Sequence, residues 1–362
     1  MKKIVFYINT LQRGGAERVL ANLANQFVNA GYAVFFITSY SLEDEYILDL
    51  KIQRFNLEEV ERSSNLVFKN IKRISKLKRV LKEINPHLII SFLPETIFRI
   101  LFINLNNNIP IVISVRNDPK IEYKRLSYKV LARILYLRAD WIVFQTETAK
   151  NWFSKRIKNK SSVIFNQVDD AFFQVKRVKE EYYCAIGRLV EQKNYSMMIK
   201  AFAKFVTSYP DEKLYIYGEG GLKEDLYELI QTLGMDNNIF LKGITNEVPN
   251  ILARAKAFLM TSDYEGMPNA LLEAMAVGVP VISTDCPCGG PKTVIEDGKS
   301  GILVPVGDEL ALLKALNLLQ NDEHLRKNMS LEEKKYAINY NPEIVFCKWR
   351  SLIETISKKG RC

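Results

Sequence analysis

From end to end of this chain, short β-rich runs alternate with stretches long enough for helices, and no other feature restricts the fold as much. The runs are residues 4–8, 33–38, 88–92, 111–115 and 141–144, and then 182–186, 214–217, 239–241, 257–260 and 279–283. Such alternation predicts parallel sheets covered by helices on both faces. A chain of 362 residues also exceeds the roughly 250–300 at which single cores stop growing. The expected class is therefore α/β, with two Rossmann-like, doubly wound parallel-sheet domains facing each other across a cleft. The polar stretch 166–181, which carries Asp169 and Asp170, separates the two sets of runs and puts the domains at 1–168 and 176–342. Ligands of such sheets sit beyond the carboxyl ends of the strands, so the informative residues should lie in strand-to-helix loops.

Hydrophobic residues make up 48% of the chain and charged residues 25%, the balance of a packed globular protein, which excludes disordered, collagen-like and coiled-coil chains. Arg99 interrupts the longest apolar run, 96–105, well short of the roughly 18–20 residues a membrane span needs. Residues 4–8 are too short for the apolar core of a signal peptide and read as a first buried strand. Cys184, Cys286, Cys288, Cys347 and Cys362 form no disulfide pattern, which points to a reducing cytoplasm. Cys286 and Cys288 are the one close pair, and neither His87 nor His324 completes a zinc spacing with them. No metal site and no cofactor are expected.

After run 182–186 comes Gly187-Arg188-Leu189-Val190-Glu191-Gln192-Lys193-Asn194. A bidentate guanidinium and a point-charge ammonium on one loop can both reach one anion, such as a diphosphate. Alone, the segment reads as readily as a solvated basic loop. After run 257–260, Gly266 and Pro268 put Glu265 in a loop and Glu273 in the helix that follows. The loop acid can then face a sugar and the helix acid a ribose; as an isolated pair they would be a helix-dipole partner and a surface acid. Amides of Ala270 to Leu272 at the helix start offer donors and partial positive charge to a phosphate.

In this order and spacing the residues resemble the retaining glycosyltransferases of the GT-B fold, family 4, among them enzymes of bacterial surface polysaccharides and lipid-linked oligosaccharides. The family's glycine-rich loop corresponds to Gly14-Gly15-Ala16-Glu17, its Arg/Lys loop to Arg188 with Lys193, and its Glu-x7-Glu element to Glu265 with Glu273. Gly218-Glu219-Gly220 and residues 285–291 extend the likeness over the chain. The resemblance implies an N-terminal acceptor domain and a C-terminal nucleotide-sugar domain, with a last helix, 343–358, packing back on the first. It implies that Arg188 and Lys193 bind the donor diphosphate, that Glu265 contacts a sugar hydroxyl and that Glu273 binds the ribose. Gly187, Gly218, Gly266, Met267, Pro268, Asn269, Ala270 and Leu271 would line sugar and phosphate, and Lys242 and Ile244 would lie by the base. Gly14, Gly15 and Glu17 would approach the ligand from the first domain, although a tight turn explains the glycines equally well. Many relatives have a histidine after the fourth or fifth strand, where this chain has Arg116 and Asn117. Asp118, ahead of Pro119, reads equally as a turn residue.

No histidine stands where a general base is needed, and a Ser/His/Asp triad is excluded. Front-face attack, in which the departing phosphate accepts the acceptor's proton, matches this inventory; sequence does not separate it from a double displacement. The expected donor is a UDP-linked Gal, GalNAc, Glc or GlcNAc. A sugar-nucleotide epimerase of the same fold and a noncatalytic binder of anionic surfaces are the alternatives.

Charge is unevenly placed: residues 1–175 hold 27 Lys+Arg against 16 Asp+Glu, and 176–362 hold 24 against 25. The basic half contains two helical patterns, 68–84 and 124–138. In the first, Phe68, Ile71, Ile74, Leu77, Leu81 and Ile84 oppose Lys69, Lys72, Arg73, Lys76, Arg79 and Lys82. In the second, Leu126, Val130, Leu131, Ile134, Leu135 and Leu137 stand beside Lys124, Arg125, Lys129, Arg133 and Arg138. Both suit reversible attachment to the inner face of the plasma membrane and a polyprenyl-diphosphate-linked saccharide acceptor; each could also pack its apolar stripe into the domain and leave its cations in water. Nothing in the motifs supports nucleic acid as a partner.

Overall fold

The computed structural model describes residues 2–12, 14–58, 66–106, 108–178 and 180–359, with the backbone alone at 66–69, 106 and 358–359. The chain divides into two compact units, Met1–Asn166 with Val345–Cys362, and Gln167–Ile344.

Seven strands form the first sheet: β1 (Lys3–Ile8), β2 (Ala33–Thr38), β3 (Gln53–Asn56), β4 (Leu88–Phe92), β5 (Ile111–Ser114), β6 (Trp141–Phe144) and β7 (Ser161–Val163). Their order is β3-β2-β1-β4-β5-β6-β7, and every pairing is parallel. β4 and β5 are buried along their whole length, as strands covered on both faces must be, which is why they read as unbroken apolar runs. Crossovers run through α1 (Gly15–Asn29), α2 (Leu66–Ile84), α3 (Pro94–Ile103), α4 (Pro119–Glu122) and α5 (Leu126–Leu135). The C-terminal helix Pro342–Lys359 sets Val345, Trp349, Ile353 and Ile356 into this unit's core beside Phe27 and Phe92.

The second sheet contains β8 (Tyr182–Ile186), β9 (Leu214–Tyr217), β10 (Ile239–Gly243), β11 (Ala255–Met260), β12 (Val281–Thr284) and β13 (Ile302–Val304). Its order is β10-β9-β8-β11-β12-β13, again all parallel. Three strands were not anticipated from sequence: β3, β7 and β13. All lie at sheet edges, where one partner suffices and short or polar segments are tolerated. Among the described residues no helix is long and apolar enough to cross a membrane.

One buried acid ties a helix to the second sheet. Glu333, on the helix Glu323–Ala337, accepts the Val281 amide through Oε1 at 3.0 Å, while its buried Oε2 has no hydrogen-bond partner. Burial pushes its carboxyl well up, against the pull of the Val281 amide and Arg177. A folded-state value above the unfolded one means that its contribution is fully present below about pH 4.5 and is lost as pH rises through the folded value. Glu333→Gln should remove that loss. We expect the variant to gain about 1–3 kcal/mol over wild type at pH 8 and to match it more closely at pH 5, as read from urea midpoints; an equal offset at both pH values would refute the assignment.

Candidate active site

In a doubly wound sheet the point where strand order reverses leaves a crevice between diverging helices. In the second unit that point lies between β8 and β11, neighbours in the sheet with separate crossovers. The Arg/Lys loop leaves β8 there, and the segment with Glu265 leaves β11.

The loop after β8 is held by backbone. Gly187 N donates to Tyr217 O at 2.9 Å, Leu189 N to Glu219 O at 2.9 Å, Leu222 N to Leu189 O at 3.1 Å, and Gly218 N to Gly243 O at 2.9 Å. Loops after three adjacent strands are thereby joined. The fit leaves no room at Gly218, where a Cβ would lie 1.9 Å from Gly187 O and φ is +149°. On the other side, Asp263 N donates to Gln192 O at 2.8 Å, Gln192 Nε2 to Tyr264 O at 2.8 Å, and Asn194 Nδ2 to Asp263 Oδ1 at 2.9 Å. The Thr261 hydroxyl donates to the Lys193 and Asn194 carbonyls.

These bonds bring together side chains 72 residues apart. Lys193 Nζ contacts Glu265 Oε1 at 2.5 Å, and Ser262 Oγ donates to the same oxygen at 2.9 Å. Glu265 is 8% exposed and Glu273 5%, so neither is the surface acid that an isolated pair of glutamates would be. Lys193 folds back over Gly187, whose Cβ would lie 3.2 Å from its Cε. Arg188, next along, is exposed, and among the described residues its guanidinium makes no hydrogen bond or ion pair. It is free to meet an incoming anion.

The helix Asn269–Val277 follows Gly266, Met267 and Pro268. Pro268 is its N-cap and supplies no side-chain cap. Intrahelical bonding starts with Leu272 N to Pro268 O, so the positive end of the helix lies at Asn269, Ala270 and Leu271, and the Leu272 amide is not free as expected. Beneath the turn packs the loop after β12: a Cβ on Gly290 would fall 1.9 Å from Gly266 O. That loop places Cys286 near the ion pair, with burial, and then Glu265, raising its thiol to about 12 against the pull of Lys193. Cys286 escaped sequence reasoning because it was weighed only as a metal ligand; it is a buried, inert thiol beside the site. Cys362 lies outside the described residues.

Lys242 and Ile244 lie at and just after the end of β10. Lys242 belongs to β10 at the sheet edge, its ammonium 4.9 Å from the Tyr215 ring centroid, and Ile244 is exposed. Only Gly243 between them joins the loop framework, through its carbonyl.

In the first unit Gly14 is the N-cap and Gly15 the first residue of α1, not members of a separate loop. The Glu17 carboxylate folds back over Gly14, where a Cβ would lie 2.2 Å from Oε2. Arg116 packs on the Phe92 ring at 4.5 Å and donates to Asn166 Oδ1 at 2.5 Å, and its buried Nε has no partner. Burial lowers its guanidinium's pKa to about 9, and Glu17 and Glu122 oppose that shift. Asn117 instead accepts the Asp118 amide at 2.8 Å, and Asp118, the N-cap of α4, accepts from Lys120 N at 2.9 Å. Glu122 was missed: burial raises its carboxyl to about 7, Glu95 and Asp118 add to the rise, and Tyr123 and Arg116 oppose it. Nothing in its local sequence marks it, since its environment is assembled from other elements.

Residues 13–172 match the family described as Glycosyltransferase Family 4, and residues 167–336 match Glycosyl transferases group 1. An uncharacterised glycosyltransferase of Methanocaldococcus jannaschii is 32% identical over 364 residues, covering 84% of this chain and 88% of that one. The chain is a family 4 glycosyltransferase. An enzyme of Campylobacter jejuni named as a GalNAc-alpha-(1->4)-GalNAc-alpha-(1->3)-diNAcBac-PP-undecaprenol alpha-1,4-N-acetyl-D-galactosaminyltransferase is 29% identical to this glycosyltransferase, across 98% of this chain and 99% of its own. The fold is GT-B, shared with Anabaena HepE in complex with UDP and glucose at a TM-score of 0.84 and 17% identity, over 98% of this chain and all of that one.

Proposed function

We propose that this glycosyltransferase moves a hexose or N-acetylhexosamine from a UDP-sugar to a polyprenyl-diphosphate-linked saccharide, with retention of configuration and without a metal. The Lys193–Glu265 pair, set beside an unpaired Arg188 and a helix N-terminus, carries the reading. Two cations and a positive helix end suit the charge that grows on a departing diphosphate. Glu265 holds the Lys193 ammonium and presents its second oxygen to a sugar hydroxyl, while Glu273, one turn into the helix, serves the ribose. In the transfer the bond from the anomeric carbon to the β-phosphate oxygen breaks, and the acceptor oxygen bonds to that carbon on the same face. The acceptor's proton passes to the departing phosphate, so no basic side chain is required. In the first unit Arg116, with Glu17 and Glu122 around it, is the acceptor-side cation. The acceptor class is supported by the Campylobacter relative's named substrate and the donor base by the UDP in HepE.

The test is to incubate the protein with UDP-Gal, UDP-GalNAc, UDP-Glc or UDP-GlcNAc and a lipid-linked saccharide extract, with EDTA present, and to follow UDP release and the product's anomeric proton by NMR. Acceptor-dependent release and an α-linked product are expected. A strict need for a divalent ion, a β-linked product, or epimerisation of the donor without acceptor would each defeat the proposal.

A further inference from the structure

The two basic helical patterns of the first unit, alike in sequence, take opposite orientations. In α2 the apolar residues Leu77, Val80, Leu81 and Ile84 are buried, with Ile71 exposed a turn and a half earlier; Lys78, Arg79 and Lys82 are exposed, while Arg73 pairs with Glu58 at 2.7 Å, and Phe68 and Lys69 have side chains outside the described set. In α5 the aliphatic stripe is turned out. Leu126 is 76% exposed, Ile134 59%, Val130 44% and Leu131 40%. The inward positions are taken by Tyr128, Ala132 and, in the following turn, Tyr136: Tyr128 and Tyr136 pack on Phe98 of α3 at 5.4 and 5.9 Å, and the Tyr136 hydroxyl meets that of Tyr123 at 2.8 Å. With this slot filled by aromatic rings, the aliphatic residues are left at the surface among the described residues.

Leu126, Val130, Ile134 and Leu137 recur at helical spacing, and Leu131 lies beside them. Arg138 Nη2 donates to Leu105 O at 3.4 Å, which brings exposed Leu105 to the far end of the stripe. Along its edges stand Lys124, Arg125, Lys129, Arg133 and Arg138, and from Tyr123 to Ala139 the sequence contains no carboxylate. An exposed apolar ridge marks an interaction surface, and its charge selects the partner. A second copy of the chain would bring five cations against five, whereas an anionic bilayer offers phosphates to the rim and acyl chains to the ridge.

We infer that α5 is a monotopic membrane-docking helix, lying in the plane of an anionic bilayer with Leu126, Val130 and Ile134 below the headgroups. This deepens the proposed function, whose lipid-linked acceptor resides in that bilayer. Vesicle binding is measured without donor or acceptor, so its failure leaves the transfer reading standing, and failure of transfer leaves the docking measurable.

The full chain is sedimented with vesicles of phosphatidylcholine containing phosphatidylglycerol, and with phosphatidylcholine alone. Affinity for the anionic vesicles should be about tenfold or more above that for the neutral ones, and the double variant Leu126→Ser, Ile134→Ser should lose about tenfold or more with an unchanged circular dichroism spectrum and melting temperature. The α2 variant Lys78→Glu, Lys82→Glu should change affinity by less than about threefold. Equal binding to both vesicle types, wild-type binding by the Ser variant, greater loss from the α2 variant, or an α5-dependent dimer with no vesicle affinity would each overturn the inference.

Discussion

Replacing Lys193 with alanine is expected to slow single-turnover sugar transfer about 10²–10³-fold, the usual consequence of removing one charge-stabilising donor from a transition state. A second effect accompanies it. Lys193 and Glu265 form a largely buried pair, with side-chain exposures of 17% and 11%, and deleting one partner of such a pair leaves a buried charge at a cost of about 3 kcal/mol. The two effects separate in the double variant Lys193→Ala, Glu265→Gln, which should regain most of the urea midpoint while transfer stays slow. Were the double variant to transfer at wild-type speed, Lys193 would be a structural partner of Glu265 and the leaving-group role would be lost.

The largest backbone effect is expected at Gly218. An alanine there must accommodate a Cβ 1.9 Å from Gly187 O at a φ of +149°, and the obstacle is main chain that cannot rotate aside. Gly187 and Arg188 must move, together with the bonds from Leu189 N to Glu219 O and from Leu222 N to Leu189 O. Gly218→Ala should destabilise by about 2–4 kcal/mol and raise the donor KM more than about tenfold through the displaced Arg188 loop. Gly221, three residues on, has nothing within 4 Å of a Cβ, and Gly221→Ala should stay within about 0.5 kcal/mol of wild type. If both alanines behaved alike, the contact at Gly218 would not govern the loop.

Much of this arrangement is written in local pattern. The central strands are apolar runs because both their faces are covered, and the runs at 33–38, 88–92, 141–144, 182–186 and 214–217 coincide with β2, β4, β6, β8 and β9. Two edge strands of the first sheet carry no such mark: Gln53–Asn56 is mostly polar and half-exposed, and Ser161–Val163 has three residues. The site's loops were legible because glycine, proline and charge gather where a strand gives way to a helix. Their contacts were not: the Lys193–Glu265 pair spans 72 residues, and Cys286, Arg116 and Glu122 owe their shifted ionisation to groups on other elements.

The sequence by itself determined the class of fold, the order of its central strands along the chain and the loops that carry the chemistry, since these depend on periodicity and on residues whose backbone preferences act locally. Tertiary structure alone decided which charges meet and which way an amphipathic helix turns. In α5 that decision went against the aliphatic stripe, because Tyr128 and Tyr136 pair with Phe98 on the neighbouring helix, and a helix with two apolar faces can bury only the one its neighbours accommodate.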